Sequence, residues 1–380
     1  MRILFITHYN TMYGANKSLI DLIDGLLLLN DGFKLMLIAP DGPVADEARK
    51  RDVEVIVAPF FNEIYAGEKK EPVIISIKKF IKSCNITLRL YLKLRKRGVD
   101  IVHTNSSVTF LGAYLSFLFG KAHVWHIREY GIPDYGVRYS FGQKYFDFWI
   151  KRASGVISIS KAIYEFRLKC LKLKKLDIIY NGVILSSKIA KLPQQFSEDK
   201  PFAFGIVGFI SKEKGQIDAI RAFALLYQKY KNIKLYIIGE GDRAYVEELL
   251  KYVNSRNIGH CVEFTGYQQN VNVFYKKLNV LLMCSKFEAL GRVTIEAMAN
   301  GIVVLGYNNG GTAEIIQDGV NGLLYDSDEA GLADKMEYIF KNPSRITHLS
   351  TNALQTVYEK YSIENYSKNV QSFYHSIIKL

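Results

Sequence analysis

The stretch NVLLMCSKFEALGRVTIEAMA (279–299) reads as a strand, a loop and a helix in immediate succession. Val280 to Cys284 is a continuous apolar run, the pattern of a parallel strand covered on both faces. Gly291 allows close backbone approach, and Val293 to Met298 reads as the start of a buried helix. Working outward, the same alternation recurs. AFGIVGF (203–209), IKLYIIG (233–239), CVEFTG (261–266), IVVLGY (302–307) and GLLYD (322–326) read as strands separated by helical spacing. An earlier cycle contains RILFITH (2–8), KLMLIAP (34–40), VEVIVAP (53–59), DIVHTN (100–105), AHVWHI (122–127), GVISIS (155–160) and LDIIYN (176–181). Helical spacing fills intervals such as Ala15–Leu29 and Tyr139–Ala153. Two such cycles in series predict an α/β chain of two doubly wound domains.

A chain of 380 residues is long for one hydrophobic core and suits two. The polar, irregular stretch Asn181–Lys200, with the Asn181-Gly182 turn signal and Pro193, is the expected junction. The predicted domains are residues 1–182 and 183–361, with a last amphipathic helix at 362–380 packing back on the first. Ligands of open parallel sheets bind beyond the carboxyl ends of the strands. Two facing sheets therefore predict a site in a cleft between domains.

Composition excludes several classes. At 49% hydrophobic and 23% charged residues, the chain is globular rather than disordered. Val108 to Gly120, its longest uncharged apolar stretch, is short of the roughly 18–20 residues of a membrane span. Four scattered cysteines without a CxxC pair argue against a zinc ribbon or disulfide framework and fit a reducing cytosol. The net charge of +13 is uneven: residues 1–200 hold 31 Lys+Arg against 19 Asp+Glu, and the remainder 19 against 18. Lys69 to Arg97 holds ten Lys or Arg against Glu71 alone, interleaved with apolar residues from Val73 to Leu94. That pattern suits a helix lying on an anionic membrane, and equally a solvated helix whose apolar face joins the core. A nucleic-acid binder is disfavoured, because the charge is not built into a recognised binding module.

The chemistry centres on Glu288 and Glu296, with seven residues between them, Gly291 among these. Free amides at the mouth of the helix, at Gly291, Arg292 and Val293, suit a phosphate. A carboxylate within the first turns suits sugar hydroxyls. Two surface glutamates are the bland alternative; Glu296 argues against it, embedded in an apolar run without a basic neighbour. No divalent-metal motif such as Asp-x-Asp, no cofactor signature and no Ser-His-Asp or Cys-His pattern is present.

With its surroundings this stretch resembles the retaining glycosyltransferases of glycosyltransferase family 4, which have the GT-B fold of two Rossmann-like domains. The family's Glu–seven residues–Glu motif matches Glu288 and Glu296. Its Gly-Gly-x-x-Glu segment matches Gly310, Gly311 and Glu314, and its Asn-Gly-Leu-Leu segment matches Asn321 to Leu324. The similarity covers nearly the whole chain and is best over residues 203–326. It implies transfer of a sugar from a nucleotide-sugar donor to a glycan or lipid-linked acceptor with retention, in bacterial polysaccharide or lipopolysaccharide assembly. It implies Glu296 at the donor ribose, Glu288 at the sugar hydroxyls and Lys214 beside the departing diphosphate, without a metal. Where the family carries arginine this chain has Phe209, leaving Lys212 or Arg292 for the second phosphate contact. Gly239 and Tyr267 would border the nucleobase. Gly14 would approach the donor diphosphate or the acceptor, and Asn16, in place of the family's glutamate, would lie on the acceptor side with Arg128. His126 matches the family's active-site histidine and would meet a sugar hydroxyl from a strand end. His103, also at a strand end, is the weaker candidate. A nucleotide-sugar epimerase of the same architecture and a noncatalytic nucleotide- or glycan-binding protein are the rival readings. A cytoplasmic enzyme in peripheral contact with the inner face of the cell membrane is the expected setting.

Overall fold

The computed structural model describes residues 1–60, 62–67, 69–193 and 199–378. The stretch expected to join the domains thus includes residues 194–198, which lie outside the described residues, as do 379 and 380 of the terminal helix. The chain divides into two compact units, Met1–Val183 with Ile363–Leu380, and Ile184–Ser362.

The first unit carries strands β1 (Arg2–Ile6), β2 (Lys34–Ala39), β3 (Glu54–Val57), β4 (Ile64–Ala66), β5 (Ile101–Thr104), β6 (Ala122–Ile127), β7 (Val137–Tyr139), β8 (Gly155–Ser158) and β9 (Leu176–Ile178). Seven of them form a parallel sheet in the order β3-β2-β1-β5-β6-β8-β9. Strand β4 pairs antiparallel with β7 as a separate ribbon. Both faces of the sheet are covered, and β1 shows why its sequence is continuously apolar. Ile3 and Phe5 point into one core with Leu19, Leu22 and Ile23, while Leu4 and Ile6 point into the other with Leu90 and Leu111.

The C-terminal helix Ile363–Ile378 supplies Tyr366, Val370, Phe373, Tyr374 and Ile377 to the first of these cores. Two glycines make room for it. A Cβ on Gly25 would lie 2.6 Å from the Ser367 Cβ, and one on Gly155 would lie 2.5 Å from the Phe373 Cζ.

The second unit carries β10 (Phe202–Val207), β11 (Ile233–Ile238), β12 (Val262–Gly266), β13 (Val280–Met283), β14 (Val303–Tyr307) and β15 (Leu323–Tyr325). They form a parallel sheet in the order β12-β11-β10-β13-β14-β15, with Leu282, Leu305 and Leu323 in the core on one face and Leu281, Val304 and Leu324 buried on the other. The two doubly wound sheets expected from the strand–helix alternation are present. The helix expected over 139–153 is shorter, Gln143–Ile150. Tyr139 belongs to the ribbon, and Gly142, with φ 79°, turns the chain before the helix starts.

Candidate active site

In the second unit β10 and β13 are neighbours although two strands separate them in sequence. Their connections leave toward opposite flanks, which opens a crevice at the carboxyl ends of the pair. The loop after β10 is forced across this point. Gly215 has φ 70°, and a Cβ there would lie 2.6 Å from the Cys284 carbonyl oxygen, so the loop presses on the end of β13. Gln216 anchors it by donating from Nε2 to the Phe209 carbonyl at 3.0 Å. Lys214 is thereby brought to Glu288, with Nζ 2.7 Å from Oε2. The pair is partly open to solvent, and such bridges are worth about 0–1 kcal/mol. A multiply charged anion can therefore draw Lys214 away at little cost.

The helix Arg292–Ala299 opens at Gly291, whose φ is 92° and which no side chain caps. Its first amides face outward with the positive end of the helix dipole behind them. The loop leading into it is pinned from the helix Gly310–Ile315. The Gly311 amide donates to the Glu288 carbonyl at 2.7 Å, and Asn309 Nδ2 donates to the Lys286 carbonyl at 2.9 Å. Only glycine fits at 311, where a Cβ would stand 2.4 Å from the Leu290 Cα. The Gly-Gly segment thus fixes the height of the Glu288 loop.

One turn inside the helix, Glu296 accepts from the Tyr275 hydroxyl at 3.3 Å and lies 3.6 Å from Arg292 Nη2. Glu296 therefore has a basic neighbour after all: a residue four positions away shares its helix face, whatever the apolar residues between. Burial first, and then the Glu296 carboxylate, hold Tyr275 well above the usual phenol range. Nothing in the spacing of the sequence pointed to Tyr275.

The other donor-side candidates line the same edge of the sheet. Gly239 has φ 142°, and a Cβ would sit 2.0 Å from the Gly208 carbonyl oxygen, so the turns after β10 and β11 touch backbone to backbone. Tyr267 stands 67% exposed just past β12, and Phe209 52% exposed just past β10. Lys212 is exposed in the short 3-10 turn Lys212–Lys214, and Val293 is half-buried at the mouth of its helix.

In the first unit the candidates are more enclosed than expected. Gly14 is exposed and begins the helix Gly14–Leu28. Asn16 is fully buried and spends its amide on the loop before that helix. Its Oδ1 accepts from Thr7 Oγ1 at 2.6 Å, and its Nδ2 donates to the carbonyls of Tyr9 at 2.9 Å and Thr11 at 2.7 Å. Its amide clamps that loop. Asn105 Nδ2 donates to the Ala15 carbonyl at 3.1 Å, while its Oδ1 accepts from Arg128 Nε at 2.8 Å. Arg128 is 6% exposed and also donates from Nη1 to Asn181 Oδ1 at 2.7 Å and from Nη2 to the Tyr366 hydroxyl at 3.1 Å. Its guanidinium is thus engaged by neutral groups of the first unit.

His126 is not open at a strand end but fully buried beneath the terminal helix. Its Nδ1 lies 3.2 Å from His103 Nε2 and 3.3 Å from Arg128 Nη2, and its Nε2 meets no protein partner among the described residues. His103 in turn has Nδ1 2.7 Å from the Tyr374 hydroxyl. Burial, and then the Arg128 charge, keep both imidazoles well below the ordinary histidine range. Asn105, Asn181, Tyr366 and Tyr374 are the partners the sequence reading missed as site residues. Asn105 and Asn181 end strand runs, a usable signal, whereas the two tyrosines come from a helix far away in sequence.

Comparison with known proteins places the chain in a family. The glycosyl transferases group 1 profile matches residues 188–356, and the Glycosyltransferase Family 4 profile matches residues 13–187. An uncharacterized glycosyltransferase of Methanocaldococcus jannaschii is 29% identical over 297 residues, covering 72% of this chain and 75% of its own length. The capsular polysaccharide biosynthesis glycosyltransferase CapM of Staphylococcus aureus is 23% identical, covering 87% of this chain and 92% of its own. Among solved structures, Anabaena HepE in complex with UDP-glucose superposes with a TM-score of 0.79 at 21% identity, over 99% of this chain and 100% of that one. Both units being matched in order, the chain belongs to the family 4 glycosyltransferases and has their GT-B fold.

Proposed function

We propose that the second unit binds a nucleotide-sugar donor and that the sugar passes to a glycan or lipid-linked glycan with retention of configuration. The observation carrying this reading is the meeting of Lys214 and Glu288 beside the uncapped mouth of the Arg292–Ala299 helix. On donor binding Lys214 exchanges Glu288 for the diphosphate, whose charge grows as the bond from the anomeric carbon to phosphate oxygen breaks. Fixed donors at a growing charge are worth more in the transition state than in the ground state. Lys214 and the amides of Gly291, Arg292 and Val293 do this work without a divalent metal. Glu288, released, accepts from hydroxyls of the transferred sugar, and Glu296, braced by Tyr275 and Arg292, accepts from the ribose. The acceptor oxygen bonds to the anomeric carbon on the face the diphosphate leaves, and its proton passes to the departing phosphate oxygen.

A uridine diphosphate sugar is the donor class to test first, because HepE is seen with UDP-glucose. CapM's role in capsular polysaccharide points to a bacterial surface glycan as the product. A panel of nucleotide sugars in a thermal-shift assay tests the reading, since a ligand at 100 times its Kd adds about 2.7 kcal/mol. Turnover of the best ligand with Lys214→Ala is expected to fall by about 10²-fold or more. Stabilisation by no nucleotide sugar, or unchanged turnover in that variant, counts against it.

Contact with an anionic membrane belongs to the same reading and rests on the helix Val73–Leu94. No helix among the described residues is long and apolar enough to cross a membrane. This one is turned inside out over its first half. Ser76, Ser83 and Thr87 are buried, while Val73, Ile74, Ile75, Ile77, Phe80 and Ile81 are exposed among Lys78 and Lys82. Apolar side chains exposed among lysines over this half support contact with a lipid surface, while Leu90 and Leu94 of the other half join the core.

A further inference from the structure

The buried polar chain in the first unit has a direction. Arg128 can only donate, so its Nη2 contact at 3.3 Å requires His126 Nδ1 to be an acceptor, without a proton. The 3.2 Å contact between His126 Nδ1 and His103 Nε2 must then be made by a proton on His103 Nε2. A neutral His103 consequently has a bare Nδ1, which accepts from the Tyr374 hydroxyl at 2.7 Å. The opposite direction would set a His126 Nδ1 proton against an Arg128 proton. Without the guanidinium either sense would satisfy the two imidazoles and the phenol equally. With it, one sense remains, and His126 carries its single proton on Nε2.

We propose that Arg128 sets the direction of the hydrogen-bond chain through His126, His103 and Tyr374, and so fixes His126 as a hydrogen-bond donor at Nε2, directed at an oxygen of a bound molecule. His126 Nε2 meets no protein acceptor among the described residues, although His126 is fully buried. Polar hydrogens enclosed in this way are nearly always partnered. Two consequences follow. The imidazole cannot take a proton at Nε2, so it is excluded as a general base and holds a substrate oxygen instead; this half rests on the glycosyl-transfer reading. The terminal helix also becomes part of the catalytic apparatus, because Tyr374 and Tyr366 close that chain from residues 363–378. Arg128 is a positioning residue, acting through His126, and Tyr366 holds it by accepting from its Nη2.

Long-range proton–nitrogen NMR of the full chain, labelled with nitrogen-15 in its imidazoles, reads the tautomers directly. In the free protein at pH 6 to 8, His103 and His126 are expected as neutral Nε2–H forms with unprotonated Nδ1. A protonated Nδ1 on His126, or an averaged mixture of tautomers, overturns that direction. Tyr374→Phe is expected to leave both tautomers in place, since Arg128 still donates to His126 and a bare His126 Nδ1 still requires the proton on His103 Nε2; a mixture at His126 in that variant rejects Arg128 as the determinant. Arg128→Met is expected to release both, and a wild-type tautomer for His126 in a folded Arg128→Met protein rejects the guanidinium as the determinant. Should that variant not fold, the wild-type spectrum decides by itself. Saturating UDP-glucose is expected to move the His126 Nε2 proton. An unmoved proton with bound donor, shown by shifts elsewhere, discards the substrate contact alone. Failure of UDP-glucose to bind overturns the donor assignment and leaves the tautomer result standing.

Discussion

Glu63 is a carboxyl group almost wholly enclosed, accepting from the Tyr114 hydroxyl at 3.0 Å. Burial outweighs that bond and the neighbouring Lys79 charge, and pushes its pKa up to about 7. The sign follows from linkage. A carboxyl raised in the folded state contributes full stability below its unfolded value and loses it as pH climbs from about 4.5 through about 7. Glu63→Gln keeps an acceptor for Tyr114 and removes the charge. It is expected to raise stability at pH 8 by on the order of 3 kcal/mol and to leave pH 4 unchanged, as urea midpoints at both values will read. At the candidate site the residue-scale test is Glu296→Ala. Removing the ribose acceptor is expected to weaken nucleotide-sugar affinity about 10- to 100-fold, a charged hydrogen bond being worth roughly 1.5–3 kcal/mol, while turnover at saturation changes less. Calorimetric titration showing unchanged affinity removes the ribose assignment.

Single elements carry two further expectations. The outer face of the helix Val73–Leu94 combines exposed Ile and Phe side chains with lysines, and its inner face is polar because it meets a half-buried acid. Glu71 pairs with Lys79 and accepts from Ser76 Oγ at 2.9 Å and Ser140 Oγ at 2.7 Å. Replacing Lys78, Lys82 and Arg89 by glutamate leaves those contacts intact. Each basic residue near an anionic bilayer is worth about 1 kcal/mol, so the triple variant is expected to leave anionic liposomes at low salt while keeping its fold. Sedimentation equal to the wild type would refute membrane docking by this face. In β8, Gly155→Val drives a branched side chain into Phe373 and Ile377. Overpacking of this kind costs about 1–3 kcal/mol, to be read as a lowered denaturant midpoint.

At the scale of the molecule, each unit owns its core, and the first is completed from the far end of the chain. A chain ended at Ser362 loses Tyr366, Val370, Phe373, Tyr374 and Ile377 from that core. Such a deletion removes several large buried side chains at once, each worth about 2–5 kcal/mol, against a typical total stability of about 5–15 kcal/mol. The first unit is therefore expected to unfold, while the second, whose core uses none of these residues, keeps its thermal stabilisation by the donor. Loss of both transitions together would show that the second unit does not stand on its own core.

The amino-acid sequence by itself determined the two parallel sheets, because strands covered on both faces must be apolar throughout and are legible one by one. It also located the Glu288–Glu296 loop and helix, where chemistry depends on neighbours in the chain and on the glycine at 291. Only the tertiary structure decided what His126, Arg128, Asn16 and Glu296 touch. The partners of Arg128 arrive from as far as 238 positions away, as Tyr366 does, those of Asn16 come from the loop beside it, and side-chain hydrogen bonds leave no periodic mark on a sequence. The orientation of the helix Val73–Leu94 was undecided for the same reason. Its spacing defines an apolar side, while the buried Glu63 and Tyr114 and the half-buried Glu71 and Ser140 around it determine which side turns inward.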